Sequence, residues 1–340
     1  MPANAAIKAI ASHLPAGKLT NEQLARDYGQ GDPDDILAKT GIAVRNIAAP
    51  DECASDLGVA AANQLLSRGT CKREDIDFLL LCTQTADYFL PTTACVMQSR
   101  LGLRTDCGAV DVNQGCSGYI YSLALAKGLI GSGLAKNVLL VTADTYSKLV
   151  NAQDRTNRTL FGDGATATLL SAVQSENEAI GPFVFGTDGR GEKDLIVPAG
   201  GMRWRIDEAA LVEKDDGSGN WRSACNLHMN GGAVFNFTLR TVPPAVDRLL
   251  EKCGLTLNDV DYFIPHQANK FMLERLRAKM KIPAEKFAID MEMSGNTASS
   301  SIPLALENAL KRGRIQSGDK VALIGFGVGY SWGATMVRIG

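Results

Sequence analysis

The sequence carries almost no net charge and has no long hydrophobic run. Its 35 basic and 37 acidic residues leave a formal charge of -2, and the Lys and Arg residues form no cluster. Nucleic acid is therefore not expected as a partner, because binding a phosphate backbone needs a basic surface. The longest apolar stretches are only as long as strands, so no membrane span is expected. A composition of 45% hydrophobic and 21% charged residues is typical of a globular enzyme.

Paired cysteines, a phosphate-binding loop and a secretion signal are also missing. The eight cysteines are scattered without CxxC spacing, which favours neither a zinc site nor a redox dithiol. No GxxxxGK[ST] segment follows a strand. The first residues, MPANAAIKAIASHLPAGKL, lack a basic start followed by an apolar run. We therefore expect a cytoplasmic protein with reduced thiols and no metal site.

The chain does contain apolar, strand-like runs that alternate with helix-like segments. Such runs predict buried, largely parallel strands covered by helices on both faces, hence an α/β fold. The 340 residues suggest about two domains, which we divide into 1–175 and 176–340. Residues 75–85 (DIDFLLLCTQT) and 259–268 (DVDYFIPHQA) each have an acidic turn, an apolar strand and then polar residues. This similarity is weak evidence for an internal duplication, because any α/β repeat produces such pairs. The predicted strands are 78–83, 109–113, 138–143, 261–265, 320–325 and 333–339; the predicted helices are 92–101, 116–133, 232–252 and 268–281, with a turn and helix over 294–312.

Residues 186–225 interrupt this alternation with a polar, glycine-rich stretch. It contains Trp204 and Trp221. Two interpretations stay open: the stretch leaves the core and its two rings pack over a cleft, or it is a surface loop that the two rings hold in place.

Cys116 is the first candidate for chemistry, because it lies at a tight turn between an apolar strand and a predicted helix (DVNQGCSGYIYSLALAKG). Unpaired N–H groups and the dipole at a helix N-terminus favour negative charge, so this place predicts a stabilised thiolate. Gly115 and Gly118 allow the sharp turn and the close approach of other backbone. Such a strand–turn–helix can hold an activated nucleophile. The alternative is a buried structural thiol, which is our interpretation of the other seven cysteines.

A histidine and an asparagine are the candidate companions of the thiol. Only three histidines occur, and His266 alone follows an apolar strand and precedes a helix. Open α/β sheets place their sites at that end of a strand, whereas His13 and His228 are interpreted as structural or surface residues. Asn296 lies in GNTASSS, a turn of small polar residues from which its amide could project into a cleft. An N-cap or turn role is the alternative for Asn296.

The last glycine-rich segment, GFGVGYSWG at 325–333, connects the two final predicted strands. Its glycines can bring backbone N–H groups close to a reacting carbonyl. Glycine-rich turns are common, so this segment gains meaning only together with the others.

Together, these segments resemble the β-ketoacyl-acyl-carrier-protein synthase III family of thiolase-like condensing enzymes. The resemblance covers nearly the whole chain, and the ordered set of Cys116, then HQAN, then GNT is specific. It implies a duplicated, five-layer αβαβα core, a homodimer and a Cys-His-Asn site in an acyltransferase of fatty-acid biosynthesis. The segments that carry it are TGIAVRNIA (40–48), DYFLPTTACVMQSRLG (87–102), DVNQGCSGY (111–119), LFGDGATATLL (160–170), IPHQAN (264–269), SGNTASSSIPLAL (294–306) and GFGVGYSWG (325–333).

The resemblance implies a reaction in two halves. The Cys116 thiolate attacks an acyl thioester, usually acyl-CoA, and becomes acylated while the backbone N–H groups of Cys116 and Gly329 hold the oxyanion. Malonyl-acyl carrier protein then enters, and His266 and Asn296 donate hydrogen bonds to its thioester carbonyl as CO2 leaves. The carbanion attacks the acyl-cysteine. Thioesters are the substrates, and no metal or other cofactor is implied.

The resemblance also gives roles to residues around this site. Phe326 is expected beside the nucleophile, and Leu90 is expected to reach into the acyl pocket of the second subunit. Arg155 and Lys39 are expected along the CoA or carrier-protein arm.

Three positions depart from the family pattern. Asp35 stands where members that use CoA often have a Trp that stacks on adenine, and an anionic side chain cannot stack. The primer could therefore arrive on CoA or on a carrier protein. Leu90 stands where acetyl-using members often have Phe, which would admit a longer or branched primer. Val328 stands where many relatives have Gly, which would change the shape of the pocket.

Decarboxylating condensation is the leading functional hypothesis, and three others are weighed against it. An offshoot that transfers the acyl group to an alcohol or amine would not need Asn296. A non-catalytic subunit of a condensing heterodimer commonly lacks the nucleophile that Cys116 supplies here. A papain-like hydrolase uses Asn to orient His, which the sequence contexts do not fit. Housekeeping fatty-acid initiation and a specialised lipid, polysaccharide or secondary-metabolite pathway both stay open.

Overall fold

The elements of the first half build one mixed sheet and its helices. The computed structural model describes residues 4–29, 31–175 and 178–340. Five strands form a sheet in the order β1-β7-β6-β4-β5, in which β4 is parallel to β5 and β6, and β7 is antiparallel to β6 and β1. The elements are β1 (Asn4–His13), β2 (Gly17–Thr20), α1 (Asn21–Asp27), α2 (Pro33–Thr40), β3 (Val44–Ile47), α3 (Ala54–Leu66), β4 (Phe78–Cys82), α4 (Thr93–Arg100), β5 (Gly108–Val112), α5 (Gly118–Gly131), β6 (Asn137–Asp144), α6 (Arg155–Arg158) and β7 (Gly164–Val173).

The second half repeats this topology. Its sheet has the order β8-β15-β14-β13, with β13 parallel to β14 and β15 antiparallel to both β14 and β8. An isolated parallel bridge from Phe263 to Phe287 occupies the place that β5 has in the first sheet. The elements are β8 (Ile180–Thr187), β9 (Leu195–Ile196), β10 (Lys214–Asp215), β11 (Trp221–Arg222), β12 (His228–Met229), α7 (Gly231–Cys253), β13 (Tyr262–Pro265), α8 (Lys270–Met280), α9 (Ser301–Lys311), β14 (Lys320–Gly327) and β15 (Ser331–Arg338).

The two sheets enclose a central layer of two helices. Helices α5 and α9 contact strands of both sheets, whereas α3 and α4 pack on the outer face of the first sheet. On the other side α7 packs on the second sheet, with α8 beside it. The predicted duplicated five-layer αβαβα fold is confirmed. The predicted boundary at 175/176 falls between β7 and β8, and the matched segments 75–85 and 259–268 supply the equivalent strands β4 and β13.

The central helices are apolar on more than one face because they pack between two sheets. In α5 the side chains of Tyr119, Ile120 and Leu123 are fully buried, and in α9 those of Ile302 and Leu306 are as well. A helix that is hydrophobic around its circumference is buried on all sides. This packing fixes the N-termini of α5 and α9, the two ends that border the site described below.

The glycine-rich stretch 186–225 forms short pieces of irregular structure outside the two sheets. Its only strands among the described residues are two-residue pairs, apart from the end of β8. Both Trp204 and Trp221 are partly exposed. Trp204 lines a cavity of about 340 Å3 together with Arg222 and His228, so its ring does border a cleft.

Within the described part of the chain, no helix is long and apolar enough to cross a bilayer.

Candidate active site

Cys116 lies in the turn between β5 and α5, as the sequence predicts, and only 4% of its surface is exposed. Strand β14 covers this turn at very close range. A Cβ atom added to Gly327 would lie 2.8 Å from Cys116 Cβ and 2.9 Å from its Sγ. One added to Gly325 would lie 2.7 Å from the Cα atom of Ser117. Gly325 and Gly327 are therefore needed for steric reasons, since a side chain at either position would displace the turn that carries the nucleophile.

The resting state of this residue is a thiol, which corrects the predicted stabilised thiolate. Burial and the negative charge of Asp144 raise the pKa of Cys116 to about 12. The backbone N–H groups of Val328 and of Cys116 itself act in the opposite direction by hydrogen bonding to the sulfur. The second N–H group at the sulfur thus belongs to Val328, the residue before Gly329, whose N–H we predicted to hold the oxyanion.

Asp144, at the end of β6, is fully buried behind the site. Its carboxylate accepts hydrogen bonds from the Gln84 N–H (2.9 Å) and from the hydroxyl group of Ser299 (2.5 Å). Burial raises the pKa of Asp144 to about 6. The carboxylate thereby ties the loop that carries Asn296 to the carboxyl ends of β4 and β6.

His266 follows the last residue of β13 and is 2% exposed. Its Nδ1 lies 2.7 Å from Ser301 Oγ, and its backbone N–H donates to the carbonyl of Ile324 (2.7 Å). The ring meets Phe326 edge-on, with centroids 5.6 Å apart and an interplanar angle of 81°. Burial lowers the pKa of His266 to about 3, so the imidazole is neutral at physiological pH.

Asn296 is 5% exposed and is fixed at both its backbone and its amide oxygen. Its N–H donates to the Leu160 carbonyl (2.9 Å), and its own carbonyl accepts from the Gly162 N–H (3.1 Å). Its Oδ1 accepts from the Ala298 N–H (3.0 Å), so the turn role considered for this residue is real. No described residue accepts a hydrogen bond from Nδ2, which leaves that group to donate to a ligand.

A buried arginine supports the strand-like segment against which Asn296 is held. Arg45 is fully buried, and its guanidinium donates to the Thr159 carbonyl (2.9 and 2.6 Å) and to Asn21 Oδ1 (2.5 Å). Thr159 directly precedes Leu160, whose carbonyl binds the Asn296 N–H. Burial lowers the pKa of Arg45 to about 10, which still leaves it charged at neutral pH.

These contacts bring the three predicted residues to one place. The Phe326–Gly327 segment touches His266 through the Phe326 ring and Cys116 through Gly327. The loop that contains Asn296 leads into α9, and the first residue of α9, Ser301, hydrogen-bonds to His266. The result is a buried thiol with two N–H donors at its sulfur and two neutral donors, an imidazole and an amide, for a second group. Such an arrangement can stabilise an oxyanion and an enolate in turn.

The remaining predicted residues lie away from this centre. Leu90 is 85% exposed on the loop before α4, and Lys39 is exposed on α2, as is the anionic Asp35. The guanidinium carbon of Arg155 lies 5.3 Å from the centroid of the Tyr28 ring, beside α1. Among the described parts of the chain, no hydrogen bond, ion pair or ring contact joins Leu90, Lys39 or Asp35 to Cys116, His266 or Asn296. The described residues also include no group of three or more His, Cys, Asp or Glu side chains that could hold a metal ion.

Three residues of the site were not recognised from the sequence, Asp144, Ser301 and Arg45, and Val328 was named there only for its effect on the shape of the pocket. Asp144 gave a usable signal, because a carboxylate at the end of the apolar run VLLVTAD stands where sheets place functional residues. Ser301 also had a sequence signal, because it is the last hydroxyl residue before an apolar helix. Arg45 gave none, since a single arginine in a polar segment is normally exposed.

The raised pKa of Cys116 predicts how its reactivity depends on pH. Only the thiolate is nucleophilic, so alkylation by iodoacetamide should accelerate roughly tenfold for each pH unit from about 7 to 9. No plateau is expected below the pKa of about 12, because the thiolate fraction rises with pH until that point. Peptide mass mapping of the alkylated chain measures the rate at Cys116. A plateau near neutral pH would instead establish the thiolate stabilised by the helix N-terminus.

Comparison with known proteins identifies the family. Models of 3-oxoacyl-[acyl-carrier-protein] synthase III and of its C-terminal part match residues 110–189 and 250–339. The beta-ketoacyl-[acyl-carrier-protein] synthase III of Caldanaerobacter subterraneus is 37% identical over 337 residues, 98% of this chain and 97% of that protein. A 2.1 Å crystal structure of a 3-oxoacyl-(acyl-carrier-protein) synthase III is 52% identical, with a TM-score of 0.98 over 99% of this chain and 100% of that one. The 3-oxoacyl-(acyl-carrier protein) synthase of Burkholderia xenovorans is 37% identical, with a TM-score of 0.91 over 99% of this chain and 94% of that one. The chain therefore belongs to the 3-oxoacyl-[acyl-carrier-protein] synthase III family, and it is an acyltransferase of the condensing type.

Proposed function

We propose that the protein joins an acyl group from a thioester to malonyl-acyl carrier protein, with loss of CO2, to give a 3-oxoacyl-acyl carrier protein. One observation carries the proposal: a buried thiol shares its site with two neutral hydrogen-bond donors, His266 and Asn296. Neutral donors suit an enolate, which needs stabilisation of negative charge on oxygen during decarboxylation.

In the first half-reaction, the Cys116 sulfur attacks the thioester carbonyl and loses its proton. The N–H groups of Cys116 and Val328, which hydrogen-bond the resting sulfur, lie close enough to stabilise the oxyanion of the tetrahedral intermediate. The carbon–sulfur bond of the substrate then breaks. The products are acyl-Cys116 and the free thiol of the donor, which takes up a proton.

In the second half-reaction, the bond between the malonyl carboxylate and its α-carbon breaks and CO2 leaves. The electron pair forms an enolate whose oxygen accepts hydrogen bonds from His266 and Asn296. The α-carbon attacks the acyl carbonyl, and Cys116 leaves as a thiolate. A sulfur with a pKa of about 12 regains a proton readily at neutral pH, which resets the enzyme.

The same geometry argues against transfer to an alcohol or amine and against hydrolysis. A general base assists attack by an alcohol, an amine or water, and the lowered pKa of His266, about 3, makes the imidazole a weak base at neutral pH. In a papain-like site the asparagine orients the histidine. Here Ser301 binds the His266 ring, and the amide oxygen of Asn296 binds Ala298 instead.

We also propose a homodimer in which the loop around Leu90 completes the acyl pocket of the second subunit. Tyr88, Phe89 and Leu90 are all strongly exposed, as expected for side chains that a partner covers. This loop borders a cavity of about 1080 Å3. Gln84 also lines the cavity, and its Oε1 would lie 2.3 Å from a Cβ atom on Gly115, next to the nucleophile. The cavity therefore extends from the loop towards Cys116, and the modest size of Leu90 favours a longer or branched primer.

Acyl-CoA and acyl carrier protein are the proposed partners, with Lys39 and Arg155 along the arm. Exposed Lys39 is a suitable contact for phosphate, whereas exposed Asp35 offers no ring on which adenine could stack. We place the reaction in the cytoplasm and infer no cofactor beyond the thioesters. All eight cysteines are free, as a reducing compartment requires.

The proposal is tested by incubating the protein with a panel of acyl-CoA and acyl carrier-protein thioesters, with and without malonyl-acyl carrier protein. Intact mass should show one acyl group on Cys116, and CO2 should form together with the 3-oxoacyl product. An ester or amide product with malonyl-acyl carrier protein unused would support the transferase alternative. A chain that no thioester acylates would be a non-catalytic subunit.

A further inference from the structure

Ser301 is the residue that contacts the ring of His266 on the side away from Nε2. It is the first residue of α9 and is buried. Its Oγ lies 2.7 Å from His266 Nδ1, and the same oxygen accepts a hydrogen bond from the Gln267 N–H (3.3 Å). The serine hydroxyl is thus held between a backbone donor and the imidazole.

The hydrogen atoms at this contact can be counted. A neutral imidazole carries one N–H, on either Nδ1 or Nε2. If Nδ1 carried it, the Ser301 oxygen would accept from both Nδ1 and Gln267, and the hydroxyl hydrogen would have no acceptor among the described residues. If Nε2 carries it, the hydroxyl group donates to Nδ1, and the hydrogen without a protein acceptor is the one on Nε2, which is not among the fully buried unpaired atoms and can bind a ligand. A buried hydroxyl hydrogen without a partner is unfavourable, so the second arrangement is preferred.

The orientation of this serine is itself fixed by the segment after β13. The Gln267 side chain donates from Nε2 to the Pro265 carbonyl (2.7 Å), and its Oε1 accepts from the Asp290 N–H (2.7 Å). Gln267 is buried, so its N–H has a constant direction towards Ser301. The hydroxyl hydrogen therefore has His266 Nδ1 as its one acceptor within hydrogen-bond distance among the described residues.

We propose that Ser301 is a positioning residue that keeps the proton of His266 on Nε2 by donating to Nδ1. Nε2 is the free nitrogen of the ring, and it must carry a hydrogen atom to donate to the enolate. The proposal rests on the proposed function, because only the decarboxylating half-reaction needs this donor. Ser301 takes no part in acylation of Cys116.

The variant Ser301→Ala tests the proposal, with Ser300→Ala as the matched control. Ser300 is an equally buried neighbour, but it bonds to Thr142 and to the Gly164 carbonyl. We expect Ser301→Ala to lower the rate of condensation about 10- to 100-fold, the usual effect of losing a group that orients a reacting histidine. The rate at which Cys116 is acylated should stay the same. Ser301→Thr, which keeps a hydroxyl group, should restore condensation, and Ser300→Ala should leave both half-reactions unchanged.

The tautomer itself can be read by nitrogen NMR of protein labelled with 15N-histidine. The chain has only three histidines, and the His266→Ala variant assigns the signal. Wild-type protein should show the Nε2–H form, and Ser301→Ala should show a mixture. An Nδ1–H form in the wild-type protein overturns the proposal without any variant, as does an unchanged Nε2–H signal with unchanged condensation in Ser301→Ala. A wild-type protein that yields no condensed product would refute the proposed function, yet the NMR result would still decide the role of Ser301.

Discussion

Replacement of Cys116 by alanine should abolish acylation and slow condensation roughly 10,000-fold or more, the scale seen when a covalent nucleophile is lost. In the proposed mechanism both half-reactions pass through acyl-Cys116, so the variant has no substitute route for covalent catalysis. The two N–H donors would still bind a thioester carbonyl, so substrate affinity should change little. Intact mass after incubation with an acyl thioester measures the loss of acylation, and release of the 3-oxoacyl product measures the loss of condensation.

The matched control for this variant is Cys82→Ala. Cys82 is also fully buried, but its thiol donates to the Gln114 carbonyl (3.2 Å) behind the turn. Burial and Asp144 raise the pKa of Cys82 well above the ordinary value, as they do for Cys116, so the two thiols differ in position and hydrogen bonding and not in the direction of their pKa shift. Cys82→Ala should therefore still gain one acyl group. An acylated Cys116→Ala protein would show that another residue is the nucleophile.

His266→Ala and Asn296→Ala should each slow condensation about 100- to 1,000-fold, which corresponds to roughly 2.7–4 kcal/mol of barrier for one lost donor. Acylation of Cys116 should proceed in both variants, because neither side chain hydrogen-bonds the sulfur. Measuring acyl-enzyme and condensed product separately tests this division. Equal loss of both half-reactions would assign these residues to the thiol instead.

Asn296→Asp sharpens this test, because it changes only the donor. An aspartate keeps the oxygen that accepts from the Ala298 N–H, but it replaces the Nδ2 donor with a second acceptor. The variant should lose as much condensation activity as Asn296→Ala.

Since the pKa of His266 is lowered to about 3, its neutral form persists above that pH. The condensation step should therefore show no titration of His266 from about pH 5 to 9, where ordinary histidines change charge.

The fold was predictable because its signals are local. Apolar runs such as FLLLC and VLLVTA became β4 and β6, and the helical periodicity after Cys116 became α5, with bounds within two residues. The positions of Cys116 and His266 followed from the same reasoning, since each lies where a predicted strand ends. The resemblance supplied the roles, which position alone does not give.

The supporting contacts could not be predicted, because they join distant parts of the chain. Ser299 binds Asp144 across 155 residues, and Arg45 binds Thr159 across 114. The pKa of Cys116 was predicted with the wrong sign for the same reason. A helix N-terminus is visible in the sequence, whereas the burial of the thiol and the charge of Asp144 arise only when the sheets are assembled.

The N–H group of Val328 at the sulfur was not predicted, because that contact depends on strand register. Strand β14 continues to Gly327, where it pairs with Ser331 of β15, so the turn begins at Val328. A loop with three glycines in five residues offers no sequence signal for that register. The pairing between β14 and β15 therefore determines which backbone group meets the sulfur.

Helices α5 and α9 pack against both sheets, which restricts local unfolding of these helices. Neither helix can unwind unless the two halves of the molecule separate. Their amide hydrogens should thus exchange with solvent only through openings that require nearly the full free energy of unfolding. Cys116 lies in the turn that leads into α5, and Ser301 is the first residue of α9, so both share the rigidity of these helices. Motions that admit and release substrates are therefore expected outside α5 and α9, while the reacting groups at the ends of these helices keep their geometry.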